Sequence, residues 1–137
     1  MTERRPNRTL GPNHDTFWSY CNRGEFRLQQ CNTCQKLQWP PTPMCDDCLS
    51  DQFTWTPMSG KAKINTYCIF DRPYYKECPP PWEAMLVELD EGPLFMTNPK
   101  DFSVEGDGIT RGTPVKVTFL DCEDDHGPFK LPVFELA

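Results

Sequence analysis

Two cysteines separated by two residues put both sulfurs at the tip of one tight turn. This chain has two such pairs, Cys31-Asn32-Thr33-Cys34 and Cys45-Asp46-Asp47-Cys48. Ten residues lie between them, enough for a short hairpin joining two knuckles. Four thiolates brought together make a tetrahedral cage, the closed site that structural zinc prefers. Residues 31–48 therefore read as one zinc ribbon, with Cys31, Cys34, Cys45 and Cys48 as ligands of a single Zn2+. Iron could occupy the same sulfurs, as in a rubredoxin-like electron carrier, because ligand type alone does not separate the two metals. Disulfides are a third reading, since the eight cysteines are even in number. Against them stands the polar opening Met1-Thr2-Glu3-Arg4-Arg5-Pro6-Asn7, which has no apolar leader. A reducing, cytoplasmic setting is expected, and there metal is favoured over disulfide.

Outside the cage, candidates for catalysis are few. His14 and His126 are the only histidines, hence the only side chains with an ordinary pKa near neutrality. There is no HExxH pair, no phosphate-cradling glycine loop and no Gly-x-Ser-x-Gly elbow. Four sulfurs on the metal leave no position open for water, so the zinc is expected to be structural. Cys78 follows Lys76, and a cation can activate a thiol. Glu77 opposes that effect, and no activating histidine lies near in sequence. Cys122 and His126 repeat a metal-like spacing, but Cys-Glu-Asp-Asp-His-Gly-Pro reads better as an acidic hairpin turn. Cys21 and Cys68 read as small buried hydrophobes. No residue is assigned a catalytic role.

The elements that must position the cage fit a chain of 137 residues, long enough for one domain or two small modules sharing a core. No apolar run reaches the length of a membrane span. Fifteen prolines and eight glycines favour short strands and turns. The net charge of −6 is uneven: residues 83–137 carry twelve carboxylates against four cations, while residues 1–82 carry eight against ten. Nucleic-acid binding draws much of its free energy from cations on phosphates. A single-strand nucleic-acid-binding role is therefore the weaker alternative, and the charge points to a protein partner.

Residues 1–12 read as a mobile arm. A helix is expected over 13–23, capped by Asn13 or Asp15 and ended by Gly24. Phe17, Trp18 and Tyr20 give it an aromatic side that serves either the protein's own ribbon or a docking surface. This helix and the ribbon make up a first module, 13–50. Residues 51–137 make a second, with strands at 53–58, 61–71, 83–90, 94–97, 115–119 and 131–134. The turn at Asp90-Glu91-Gly92-Pro93 marks a hairpin. The fold class is mainly β: a short helix, a rubredoxin-like zinc ribbon and a small Greek-key barrel of the OB type, which the strand pattern alone does not separate from another small barrel or sandwich.

The order of parts carries a resemblance. Gly24-Glu25-Phe26-Arg27-Leu28-Gln29-Gln30-Cys31 leads into the ribbon, and Trp39-Pro40-Pro41 lies between the knuckles. Ser59-Gly60-Lys61-Ala62, then Met85 to Pro93, Met96-Thr97-Asn98, Arg111 to Val117 and Leu131-Pro132-Val133-Phe134 follow in sequence. From about residue 13 onward the chain resembles a family of proteins that join a zinc ribbon to an OB fold. That family was long known as a domain of unknown function with suggested nucleic-acid binding. The resemblance implies a non-catalytic subunit of a thiolase-superfamily enzyme acting on acyl-CoA, in thiolysis, acyl transfer or retro-aldol cleavage. It also implies a protein complex in which this subunit steadies the partner and shapes its active-site entrance. The expected docking residues are Phe17, Trp18, Tyr20, Arg72, Tyr74 and Tyr75. Arg72, Lys76 and Lys100 are the candidates for touching CoA. Members commonly have an arginine after the inter-knuckle proline; here Thr42 follows Pro41, so no role of that arginine carries over.

Overall fold

A computed structural model describes residues 2–137 and divides them between two sheets. The elements are β1 (Glu3–Arg4), α1 (Pro12–Asn22), β2 (Arg27–Cys31), β3 (Leu37–Gln38), β4 (Phe53–Pro57), β5 (Lys61–Phe70), β6 (Trp82–Leu89), β7 (Leu94–Thr97), β8 (Pro114–Asp124) and β9 (Gly127–Leu136). No helix among the described residues is long and apolar enough to cross a membrane.

The smaller sheet runs β3-β2-β4, all antiparallel. β4 was expected in the second module, yet it pairs with β2 along its whole length, from Arg27↔Pro57 to Cys31↔Phe53. Threonines of β4 bond to side chains of β2 and of the residue after it: Thr56 Oγ1 donates to Gln30 Oε1 (2.9 Å) and Thr54 Oγ1 to Asn32 Oδ1 (2.7 Å). β4 thus belongs to the ribbon's sheet, and the turn before Lys61 leads into the larger one. Gly60 makes that turn with φ +81°, and a Cβ there would lie 2.6 Å from Val117 Cγ1. Only glycine fits such a left-handed, crowded position.

The larger sheet runs β1-β8-β5-β6-β7, with β9 paired to β8. A register shift between Ile64 and Thr66 bends β5, which pairs with β8 at its start and with β6 along most of its length. The ends approach where Pro99 bridges Phe134 in parallel and Lys100 N donates to Phe134 O (2.9 Å). The result is an OB-type barrel, as the spacing of short strands and turns suggests. The loop from Asn98 to Thr113 is anchored by Glu83, whose carboxylate accepts from Ser103 Oγ (2.7 Å) and Val104 N (2.9 Å).

α1 starts one residue before the expected helix. Gly11 takes the cap, Pro12 opens the first turn, and the Asp15 carboxylate accepts the Gly11 N–H (3.2 Å). Gly24 ends the helix with φ +74°, as expected. One core joins helix, ribbon and barrel: Phe17, Cys21, Phe26 and Leu28 pack in the same cluster as Ile64, Met85, Val87, Phe95 and Phe134. Phe95 lies at its centre, with ring centroids 4.7 Å from Trp39, 5.1 Å from Phe26 and 6.2 Å from Phe134.

Within the expected mobile arm, residues 3–8 lie along the barrel as a strap, and Met1 lies outside the described residues. β1 pairs in parallel with β8, Glu3↔Cys122 and Arg4↔Glu123, and Arg5 N donates to Glu123 O (3.0 Å). Arg8 forks onto the buried Asp124, Nε to Oδ2 at 2.8 Å and Nη2 to Oδ1 at 3.2 Å, while its backbone N–H reaches Oδ2 at 3.0 Å. Its guanidinium also lies 4.3 Å from the Phe129 ring centre.

Candidate functional site

The two knuckles are built alike. In the first, Cys31 N donates to Lys36 O (2.9 Å), Gln35 N donates to Cys31 O (2.9 Å), and Gln35 is left-handed with φ 66°. In the second, Cys45 N donates to Ser50 O (2.8 Å), Leu49 N to Cys45 O (3.0 Å), and Leu49 has φ 63°. Each turn thereby points two sulfurs the same way. All four Sγ atoms lie within 4.8 Å of one another, with Cys31–Cys48 at 3.4 Å and Cys34–Cys45 at 3.6 Å. Zinc–sulfur bonds of about 2.3 Å in a tetrahedron put sulfurs about 3.8 Å apart, so the cage fits one zinc ion. A disulfide needs about 2.05 Å, and all eight cysteines are free thiols.

The electrostatics call for the same ion. Cys34 N points at Cys31 Sγ (3.5 Å) and holds that thiol down to about 6. Cys34 goes the other way: the Lys36 N–H favours its anion, but desolvation and the neighbouring sulfurs push it up to about 12. Four sulfurs this close do not ionise together without a cation among them. Behind the cage, buried Gln29 and Gln38 fix the second knuckle. Gln29 Oε1 accepts from Thr42 N (2.9 Å) and Gln29 Nε2 donates to Thr42 O (3.1 Å). Thr42 thus serves the ribbon's own frame.

The expected docking residues do not form one group. Phe17 is 1% exposed and belongs to the core, which removes it from any docking surface. Trp18 is half-buried against Phe129, its Nε1 donating to Thr9 O (3.1 Å). Tyr20 leans on Trp55 between the guanidiniums of Arg23 and Arg27, 4.7 and 4.9 Å from its ring centre. Tyr74 and Tyr75 stand out in the loop after β5, 79% and 50% exposed. Beside them, Arg5, Pro6, Phe70, Arg72, Cys78, Trp82 and Asn98 complete the lining of a cleft of about 400 Å³. Lys100 lines a neighbouring hollow that shares Arg5, Trp82 and Asn98, and Lys76 lines neither. The three CoA candidates are therefore dispersed.

The remaining cysteines divide by burial. Burial pushes the Cys21 thiol up to about 12 and Cys122 to about 11, and it raises Cys78, which is 8% exposed. These are not the depressed values of reactive thiols. Cys68 was expected inside and is exposed. The β-bulge before Thr66 reverses the alternation of β5, and a one-residue slip sends each following side chain to the other face. Sequence reasoning missed Arg5, Phe70 and Trp82 as a group. Their signal is the cross-strand pair Phe70↔Trp82 flanking an aromatic loop. Among the described residues, the four cysteines are the one convergent set of three or more metal-ligating side chains.

Fold and site define a class: a zinc-ribbon protein whose ribbon shares its core with an OB barrel. The chain belongs to the ChsH2 family. Residues 18–54 match the family model for the ChsH2 rubredoxin-like zinc ribbon domain, and residues 55–120 match that for the ChsH2 C-terminal OB-fold domain. A DUF35 domain-containing scaffold protein of Pyrococcus furiosus is 34% identical over 86 residues, a match spanning 59% of this chain and 59% of that relative. The solved Ltp2-ChsH2(DUF35) aldolase contains a chain of the same fold, with TM-score 0.81 and 25% identity over 95% of this chain and 98% of that one.

Proposed function

We propose that this protein is a non-catalytic accessory subunit of a thiolase-superfamily enzyme acting on acyl-CoA, a thiolase, an acyltransferase or a retro-aldolase. The observation that carries this reading is the end-to-end likeness to a chain of the Ltp2-ChsH2(DUF35) aldolase. The scaffold description of the Pyrococcus relative points the same way. In this reading the catalytic side chains belong to the partner. The zinc, when bound, holds two knuckles and three strands as one rigid arm. Arg72, Tyr74 and Tyr75 dock on the partner, with Tyr20 at the ribbon end; exposed tyrosines and arginines give large contact area at small entropic cost. CoA, if it reaches this subunit, meets Arg72, Lys76 or Lys100.

Affinity purification of the full chain from its native host tests the reading. A thiolase-like protein should co-purify in a fixed ratio, and Tyr74→Ala with Tyr75→Ala should lower its recovery while zinc content stays unchanged. Recovery of the chain without any acyl-CoA enzyme would sink the proposal.

A further inference from the structure

The cleft beside β5 and β6 has a composition unlike the rest of the molecule. The net charge of the chain is −6, yet the residues lining this cleft include two arginines and no carboxylate. Four of its nine lining residues are aromatic: Phe70, Tyr74, Tyr75 and Trp82. Phe70 and Trp82 are cross-strand partners, and Tyr75 packs edge-on to Tyr74 with centroids 5.0 Å apart. Arg5 is 9% exposed, and its guanidinium lies 4.7 Å from the Trp82 ring centre. Its Nη1 donates to Asn98 Oδ1 (3.0 Å) and its Nε pairs with Glu3, so it is fixed in place and largely neutralised. Arg72 has no ion pair among the described residues and is exposed at the rim.

We propose that this cleft is a binding site for a flat apolar anion, a fused-ring or aryl carboxylate or sulfonate. A volume of about 400 Å³ falls within the usual range of small-molecule pockets, about 300–1,000 Å³. Aromatic lining favours a planar ligand, which stacks offset or edge-on against Trp82 and Tyr75. The unpaired Arg72 supplies a forked donor suited to a carboxylate or sulfonate at the mouth. The cleft shares Arg72, Tyr74 and Tyr75 with the docking surface proposed above, but a small ligand needs no partner to bind there, so the inference is tested on this chain alone.

The test uses the zinc-loaded full chain and two probes of one shape, 1-anilinonaphthalene-8-sulfonate and the neutral N-phenyl-1-naphthylamine. Both should bind and brighten. Tyr75→Ser should weaken both, whereas Met96→Ser, on the outer face of β7, should weaken neither. Arg72→Gln should weaken the sulfonate about fivefold and leave the neutral probe within about twofold, the size of one partly exposed charge contact. Failure of both probes to bind overturns the proposal. So does an Arg72→Gln variant that treats the two probes alike, or a Met96→Ser loss equal to that of Tyr75→Ser. None of these results bears on whether an enzyme co-purifies.

Discussion

At the residue scale, charge placement decides two outcomes. Cys31→Ser removes one ligand from a cage of four, and the protein should lose stoichiometric zinc, read by metal analysis. Structural zinc contributes about 10–16 kcal/mol in small ribbon peptides at neutral pH, far more than a marginal domain can spare. Because Phe26 and Leu28 of the ribbon lie in the barrel's core, the thermal midpoint of the whole chain should fall, rather than that of the ribbon alone. Asp124 contributes to the loss of stability in acid. Burial works against its ionisation, but the Arg8 fork, the Arg8 N–H and the His126 N–H hold its carboxyl down to about 2. An unfolded aspartate titrates near about 3.9. The pair's contribution is therefore complete above about pH 5 and is lost as pH falls from there towards about 2. Asp124→Asn should flatten the dependence of melting temperature on pH across this window. Arg8→Ala, which leaves the carboxylate buried without its partner, should cost about 3–5 kcal/mol at pH 7 in denaturant unfolding.

At the element scale, the helix and ribbon are stabilised by one aromatic stack rather than by their own length. An eleven-residue helix is marginal alone, and α1 is held by Phe17 and Cys21 in the core. Phe95 on β7 packs against the rings of Phe17 on α1, Phe26 just before β2, Phe134 on β9 and Trp39 just past β3. Phe95→Ala should destabilise the chain by about 3–5 kcal/mol, measured by denaturant unfolding, with amide protection falling in ribbon and barrel together. Much of this arrangement was legible in the sequence. The cysteine spacing specified the knuckles, the Asp90–Pro93 turn specified the β6–β7 hairpin, and Gly24 specified the end of α1. Other features of these elements were not legible. The destination of Phe17 was left open because both sides of a short aromatic helix look alike. β4 joined the ribbon because its threonines find partners on β2, a pairing that local pattern does not reveal. Cys68 faced outward because of a bulge two residues earlier, and one extra residue inverts a strand's alternation.

At the scale of the whole molecule, the order of residues 3–8 depends on contacts more than a hundred positions away. Arg8 meets Asp124 across 116 residues, and β1 is only two residues long. A polar, proline-bearing opening has no periodicity to announce this, so the strap could not be read from its own sequence. Its place on β8 has a consequence for how copies of the protein behave towards each other. β5 pairs with β8 only at Pro114 to Lys116, and β1 covers the same strand further along, at Cys122 and Glu123. Without β1 that stretch would present unpaired N–H and C=O groups, a template on which a strand from another molecule can add. Removing residues 2–8 should therefore turn a discrete species into a self-associating one, seen as rising light scattering with concentration. Arg8→Ala, which keeps the strand in place, should lower stability without that association. The strap thus acts as a seal, covering backbone on β8 that would otherwise be open to a strand from another copy.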